Sequence, residues 1–140
     1  MALDLKSLQK AVDALERAVK EVHSGDFMDS LTPDQQEVVK AGVIQNFEFT
    51  YELCWKFIRR WIRINLSPDD AEPRTRKDLF RTAARYGLIE DPVHWFEYTE
   101  ARNITFHIYD EVKAESVFEI ATQFIHDAKK LLKELEARND

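Results

Sequence analysis

Only three glycines and four prolines occur in 140 residues, and that scarcity excludes a fold made of many tight turns. A sandwich or barrel of short strands needs a turn signal about every 8–12 residues. A single cysteine, Cys54, cannot close an internal disulfide and cannot supply a thiolate metal cluster. The four histidines are scattered along the chain, so no zinc ligand set is visible and no cofactor is expected. No apolar run approaches the roughly 20 residues that span a bilayer. Met1-Ala2-Leu3-Asp4-Leu5-Lys6 lacks the basic and apolar regions of an export signal, so a cytoplasmic address is expected.

Several chemistries are excluded with them. Three isolated glycines cannot build a phosphate-cradling loop. Neither His-Glu-x-x-His nor Gly-x-Ser-x-Gly occurs. A nucleotidyltransferase centre needs a Gly-Ser loop followed by paired aspartates, and the chain has no Gly-Ser pair. It is therefore not itself a transferase catalytic subunit.

What is present is apolar periodicity. Leu5, Leu8, Val12, Leu15, Val19 and Val22 form one stripe at helical spacing, and Gly25 is read as the end of that helix. Thr32-Pro33-Asp34-Gln35 reads as a cap, a first-turn proline and a capping-box glutamine. The helix it opens can run to about Leu66, before Ser67-Pro68. It carries one apolar stripe of Ile44, Phe47, Tyr51, Trp55, Ile58 and Ile62, and a second of Val43, Leu53, Phe57 and Ile64. A helix apolar on two sides is central in a bundle or covered by another chain, and in so small a domain both are expected. Thr75 and Asp91-Pro92 mark two further helix starts, and a last helix runs from about Ala114 to Arg138. The expectation is one domain, an all-α bundle of four or five helices. Cys54, among Tyr51, Trp55 and Phe57, is expected to be inert core.

The net charge of −6 hides an asymmetry. Nine basic and four acidic residues lie between Lys56 and Arg85, giving +5 there and −11 elsewhere. Such a region suits a phosphate-bearing partner, an acidic protein partner, or simply a solvated face.

The segment Arg102-Asn103-Ile104-Thr105-Phe106-His107-Ile108-Tyr109 carries the chemistry. A neutral imidazole can take the proton of a ribose 2′-hydroxyl, and a guanidinium can hold the phosphate and its growing charge. Arg and His at such spacing are nearly uninformative alone, since chance gives about one match per chain of this composition. Arg17 and His23 match too. The longer pattern Arg-Asn-x-x-x-His-x-Tyr arises by chance on the order of 2 times in 10,000 chains. On a continuous helix Asn103 could orient His107, but His107 would lie about 140° round from Arg102. A working site then requires a distorted helix or two chains combined across a dimer axis.

These residues resemble the HEPN superfamily, and within it the nucleotidyltransferase substrate-binding proteins and HepT-like toxins. Their Arg-x4-His-x-Tyr signature is matched by Arg102, His107 and Tyr109, with Asn103 also in place. The likeness extends through Asn46–Lys56, Arg76–Arg81 and Gly87–Ile89 to Trp95, and so covers roughly the whole chain. It departs at Phe106, where the substrate-binding branch often has a small hydroxyl residue. The resemblance implies an up-and-down HEPN-like bundle, a homodimer, and a separately encoded minimal nucleotidyltransferase as partner. It further implies a metal-independent ribonuclease toxin with Arg102, Asn103 and His107 as catalytic residues. The partner would silence it by transferring AMP to Tyr109. The alternative is a non-catalytic substrate-binding subunit in which Phe47, Tyr51 and Trp55 line a cleft and Glu48, Glu52 and Lys56 give it polar contacts.

Overall fold

The computed structural model describes residues 2–66, 75–105 and 111–139. Among them there is no strand, and six helices follow one another: α1 Lys6–Val22, α2 Gly25–Asp29, α3 Pro33–Asn65, α4 Arg76–Arg85, α5 Pro92–Ile104 and α6 Glu111–Ala137. The all-α bundle expected from periodicity is the observed fold. Five of its helices are those the sequence marks.

The cap signals act as their chemistry predicts. Thr32 Oγ1 accepts from Gln35 N at 3.2 Å, and the Gln35 side chain accepts from Thr32 N at 2.9 Å. Thr75 Oγ1 accepts from Asp78 N at 3.0 Å, and Asp91 accepts from Val93 N at 2.9 Å. Each satisfies a backbone donor that the first helical turn leaves unpaired.

Gly25 does not end α1. That helix stops at Val22 with His23 as its cap, and Gly25 opens the short α2. Five residues without a full apolar repeat leave no periodicity to read, which is why the sequence does not announce it. Gly87 is the true left-handed stop, at φ +80°. Its N–H reaches Ala84 O at 3.1 Å and Leu88 N reaches Ala83 O at 2.9 Å, the paired bonds of a Schellman end. Arg138, beyond α6, donates to Tyr86 O at 2.5 Å and Gly87 O at 3.2 Å, so the ends of α4 and α6 are joined.

Contacts between elements give the direction of each helix. Gln9 meets Glu136 and Glu16 meets Lys129, so α1 and α6 run antiparallel. Lys40 meets Glu115 and Phe47 meets Phe124, so α3 runs parallel to α6. Glu90 meets Lys130 and His94 meets Asp127, so α5 runs against α6. Between them Phe124 is the hub, with Phe47, Trp95 and Tyr98 edge-on to it at 5.1, 5.6 and 5.0 Å between ring centroids. Ala121 and Ala128, one turn to either side on α6, are fully buried and let the aromatic rings approach.

Both stripes read on α3 turn mainly into the core of the chain. Ile44, Phe47, Tyr51, Ile58 and Ile62 are buried, and so are Val43 and Phe57 of the second stripe, all within the core of the chain. The apolar residues that α3 leaves most exposed are Val38, at 72%, and Phe49, at 60%. They are eleven residues apart, three turns, and so share one side of the helix. Cys54 is fully buried, and burial pushes its thiol up, keeping it protonated and unreactive. No described helix is long and apolar enough to cross a membrane.

Candidate functional site

Glu48, Glu52, Trp55 and Arg59 lie along one stripe of α3, because steps of four, three and four residues return to the same side. Opposite them, the last turn of α5 presents Arg102. Its Nη1 is 3.8 Å from Glu48 Oε2 and its Nε is 3.4 Å from Glu52 Oε1. Thr105 caps α5, donates to Arg102 O at 2.6 Å and accepts from Arg102 Nη1 at 3.0 Å. The guanidinium is thus hydrogen-bonded by its own cap and lies within ion-pair distance of two carboxylates of α3. With all three side chains only a quarter to a third exposed, the pairing is less screened than a surface ion pair.

Glu52 has a second task. Its Oε2 accepts from Trp55 Nε1 at 2.8 Å. Above Trp55 sits Arg76, the first residue of α4, with its guanidinium carbon 3.9 Å from the ring centroid. Arg76 Nη1 also donates to Tyr51 Oη at 2.9 Å, and Tyr51 Oη lies 2.5 Å from Thr99 Oγ1. Thr99 donates its own proton to Trp95 O at 2.9 Å. Taken in order, Arg76 to Tyr51 to Thr99 to Trp95 forms a single-direction relay of donors across α4, α3 and α5. Tyr51 is completely buried, and that burial raises its phenol above the usual range, so it stays protonated and able to donate.

The residues read from the sequence therefore fall into two groups. Glu48, Glu52, Trp55 and Arg102 converge, although they come from segments about fifty residues apart. Tyr51 supports this group from inside the core, and Phe47, also fully buried, is packed against Phe124; neither lines a cleft. Lys56 is exposed, with its Nζ 5.7 Å from the Trp55 ring. Asn103 is exposed on the last turn of α5. His107 and Tyr109 lie outside the described residues. The described part of α5 ends at Ile104, three residues before His107.

Arg76, Thr99 and Thr105 escape a reading by motif. Thr105 could have been found, since it stands three residues after Arg102 and that spacing brings side chains together on a helix. Arg76 and Thr99 meet Tyr51 only through tertiary contact, and no spacing announces that.

An all-α bundle with a gripped arginine at the head of an Arg-Asn-x-x-x-His-x-Tyr motif defines a HEPN protein of the HepT-like class. Comparison with known proteins agrees. Residues 3–137 match the family described as nucleotidyltransferase substrate binding protein like, and the chain belongs to that family. A Haemophilus influenzae protein named as a probable ribonuclease HepT is 36% identical over 138 residues, spanning 98% of this chain and 94% of its own. A solved Haemophilus influenzae structure, described as the fold of a substrate binding domain of a nucleotidyltransferase, superposes with a TM-score of 0.90 at 35% identity. It covers 95% of this chain and 99% of its own. The MntA–HepT toxin–antitoxin structure shares the fold at a TM-score of 0.68 and 18% identity, covering 94% and 98% of the two chains.

Proposed function

We propose that this chain is a metal-independent ribonuclease of the HepT-like toxin type, silenced by a partner nucleotidyltransferase that transfers AMP to Tyr109. The observation that carries the reading is the grip on Arg102. A guanidinium held by Glu48, Glu52 and Thr105 is pre-organised for an oxyanion, as transition-state stabilisation demands. In the proposed reaction His107 takes the proton of a ribose 2′-hydroxyl. The 2′-oxygen then bonds to phosphorus, the P–O5′ bond breaks, and the leaving oxygen takes a proton from water. Arg102 holds the charge on the non-bridging oxygens, and Asn103 orients His107 or the phosphate.

Silencing follows from the same electrostatics. Tyr109 Oη would bond to the α-phosphorus of ATP, its proton passing to solvent as pyrophosphate leaves. The added phosphate would then occupy the place of the substrate phosphate near Arg102. What supports a transferase partner is the description of the family itself. A homodimer completes the proposal, supported by the exposed pair Val38 and Phe49 on α3.

The deciding experiment expresses the chain with and without the neighbouring transferase gene, and follows intact mass, host growth and RNA cleavage. Alone, the unmodified chain cleaves RNA and slows growth, and His107→Ala abolishes both effects. With the transferase, the chain gains the mass of AMP and growth recovers, and Tyr109→Phe gains none. Unmodified protein that leaves RNA intact, in a stable complex with the transferase, would establish the alternative of a non-catalytic substrate-binding subunit.

A further inference from the structure

Two arginines face the same stripe of α3, and their electrostatic situations are opposite. Arg102 is matched by two carboxylates. Arg76, also half-buried, lies over the faces of Trp55 and Tyr51 and donates to a neutral phenol; among the described residues no carboxylate pairs with it. Lys56 adds a second cation on the Trp55 ring. Among the described residues the stack thus carries two cations and no carboxylate paired with Arg76, on a chain whose net charge is −6. Such a half-desolvated cation gains most from an anion supplied from outside.

The shape of the stack narrows that anion. A planar guanidinium whose carbon lies 3.9 Å from the indole centroid has a flat face and, at its edge, N–H groups beyond the one committed to Tyr51. A carboxylate of a protein partner would use the edge only. A nucleotide uses both, with its base on the flat face and its phosphate on the N–H edge. The base must be unpaired, since a base inside a duplex is already stacked on its neighbours.

The stack also adjoins Arg102. Glu52 touches Arg102 through one oxygen and Trp55 through the other, so a single carboxylate separates the two arginines. We propose that Trp55 and Arg76, with Lys56 beside them, form a subsite for single-stranded RNA that stacks one base and binds the phosphate next to the one held by Arg102. This inference rests on the ribonuclease reading of Arg102 and specifies its substrate as an unpaired strand. The Arg76–Tyr51–Thr99 relay fixes the stack relative to α5, because Thr99 lies one turn before Arg102.

The test uses the full chain, shown by mass to be unmodified, and a fluorescein-labelled 2′-O-methyl oligonucleotide that cannot be cleaved. Anisotropy is measured for the single strand and for its duplex at several salt concentrations, and cleavage of the unmodified sequence is measured alongside. Wild type should bind the single strand more tightly than the duplex. Arg76→Ala should weaken single-strand binding by about 10-fold and lower the salt slope by about one contact. Arg76→Lys should restore the salt slope without the affinity, since an ammonium cannot stack as a plane. Should Arg76→Ala fail to fold, judged by circular dichroism, Lys56→Ala on the exposed side serves in its place and should weaken binding several-fold.

The outcomes separate the two readings. A chain that cleaves RNA, with variants that bind it as wild type does, overturns the subsite and leaves the ribonuclease standing. A chain that binds single strands through Arg76 yet cleaves none keeps the subsite and removes the ribonuclease. Equal affinity for strand and duplex, or no RNA binding at all, overturns the subsite, and loss of the transferase partner alone in Arg76→Ala assigns the stack to a protein instead.

Discussion

Arg102 Nε stands 3.4 Å from Glu52 Oε1 across the α3–α5 contact, while the other oxygen of the same carboxylate accepts from Trp55. Glu52 is thereby the joint between the motif arginine and the aromatic stack. A carboxylate that orients a guanidinium also competes with any phosphate for it, so its removal acts on geometry and on charge together.

Glu52→Gln should cost no more than about 1 kcal/mol of stability, because the pair is partly solvated. Its effect on RNA cleavage should be larger, a fall of about 10-fold or more as Arg102 loses its fixed orientation. Thermal melts and cleavage rates on one preparation check this. A variant as active as wild type would mean that Glu52 does not position Arg102.

Phe49→Glu should shift the chain to a monomer without lowering its melting temperature appreciably, since Phe49 is 60% exposed and packs little within the chain. Sedimentation velocity over a concentration series reads the outcome. A wild-type chain that stays monomeric throughout removes the proposed homodimer on this face.

Alkaline pH should loosen the bundle through its buried phenols. Burial raises Tyr98, and its hydroxyl's bond to Asp127 raises it further; Tyr51 is raised chiefly by burial. A group raised in the folded state gives stability that is complete below its unfolded pKa of about 10 and is lost as pH climbs beyond it. Tyr98→Phe should cost about 1–2 kcal/mol near neutral pH, where Asp127 loses the phenol donor and keeps only His94 among the described residues. The difference from wild type should shrink above about pH 10, because phenylalanine has no proton to lose. Denaturant melts at neutral and alkaline pH measure the two gaps, and a constant gap contradicts the assignment.

Gly87→Ala should destabilise by about 1 kcal/mol or more. The backbone there holds φ +80°, and an added Cβ would sit 3.0 Å from Arg138 Nη2. By contrast Gly25→Ala, with nothing near its Cβ and no positive φ, should be neutral or mildly stabilising. A melt of each variant compares them. Equal effects would contradict the strain assigned to a side chain at the left-handed Gly87.

The sequence by itself determined five of the six described helices and, for three of them, the capped start. Thr32, Thr75 and Asp91 cap donors two or three residues away, and the apolar stripes recur every three or four residues; both are local relations that a chain carries without folding. It also determined which segment holds the motif, since Arg102, Asn103, His107 and Tyr109 fall within eight consecutive positions. The tertiary structure decided what those residues meet. Glu48 and Glu52 read equally well as a solvated pair or as walls of a cleft, and only the packing of α5 across α3 gives them Arg102. Tyr51 and Phe47 read as part of a cleft, and the aromatic hub at Phe124 draws them into the core instead. Gly25 and Gly87 look alike in the sequence, yet only Gly87 is held left-handed, under an arginine from the far end of the chain. The physical reason is one of range. Caps and periodicity act within a turn or two, whereas the partners of Arg102 and Arg76 are set by which faces the bundle buries against each other.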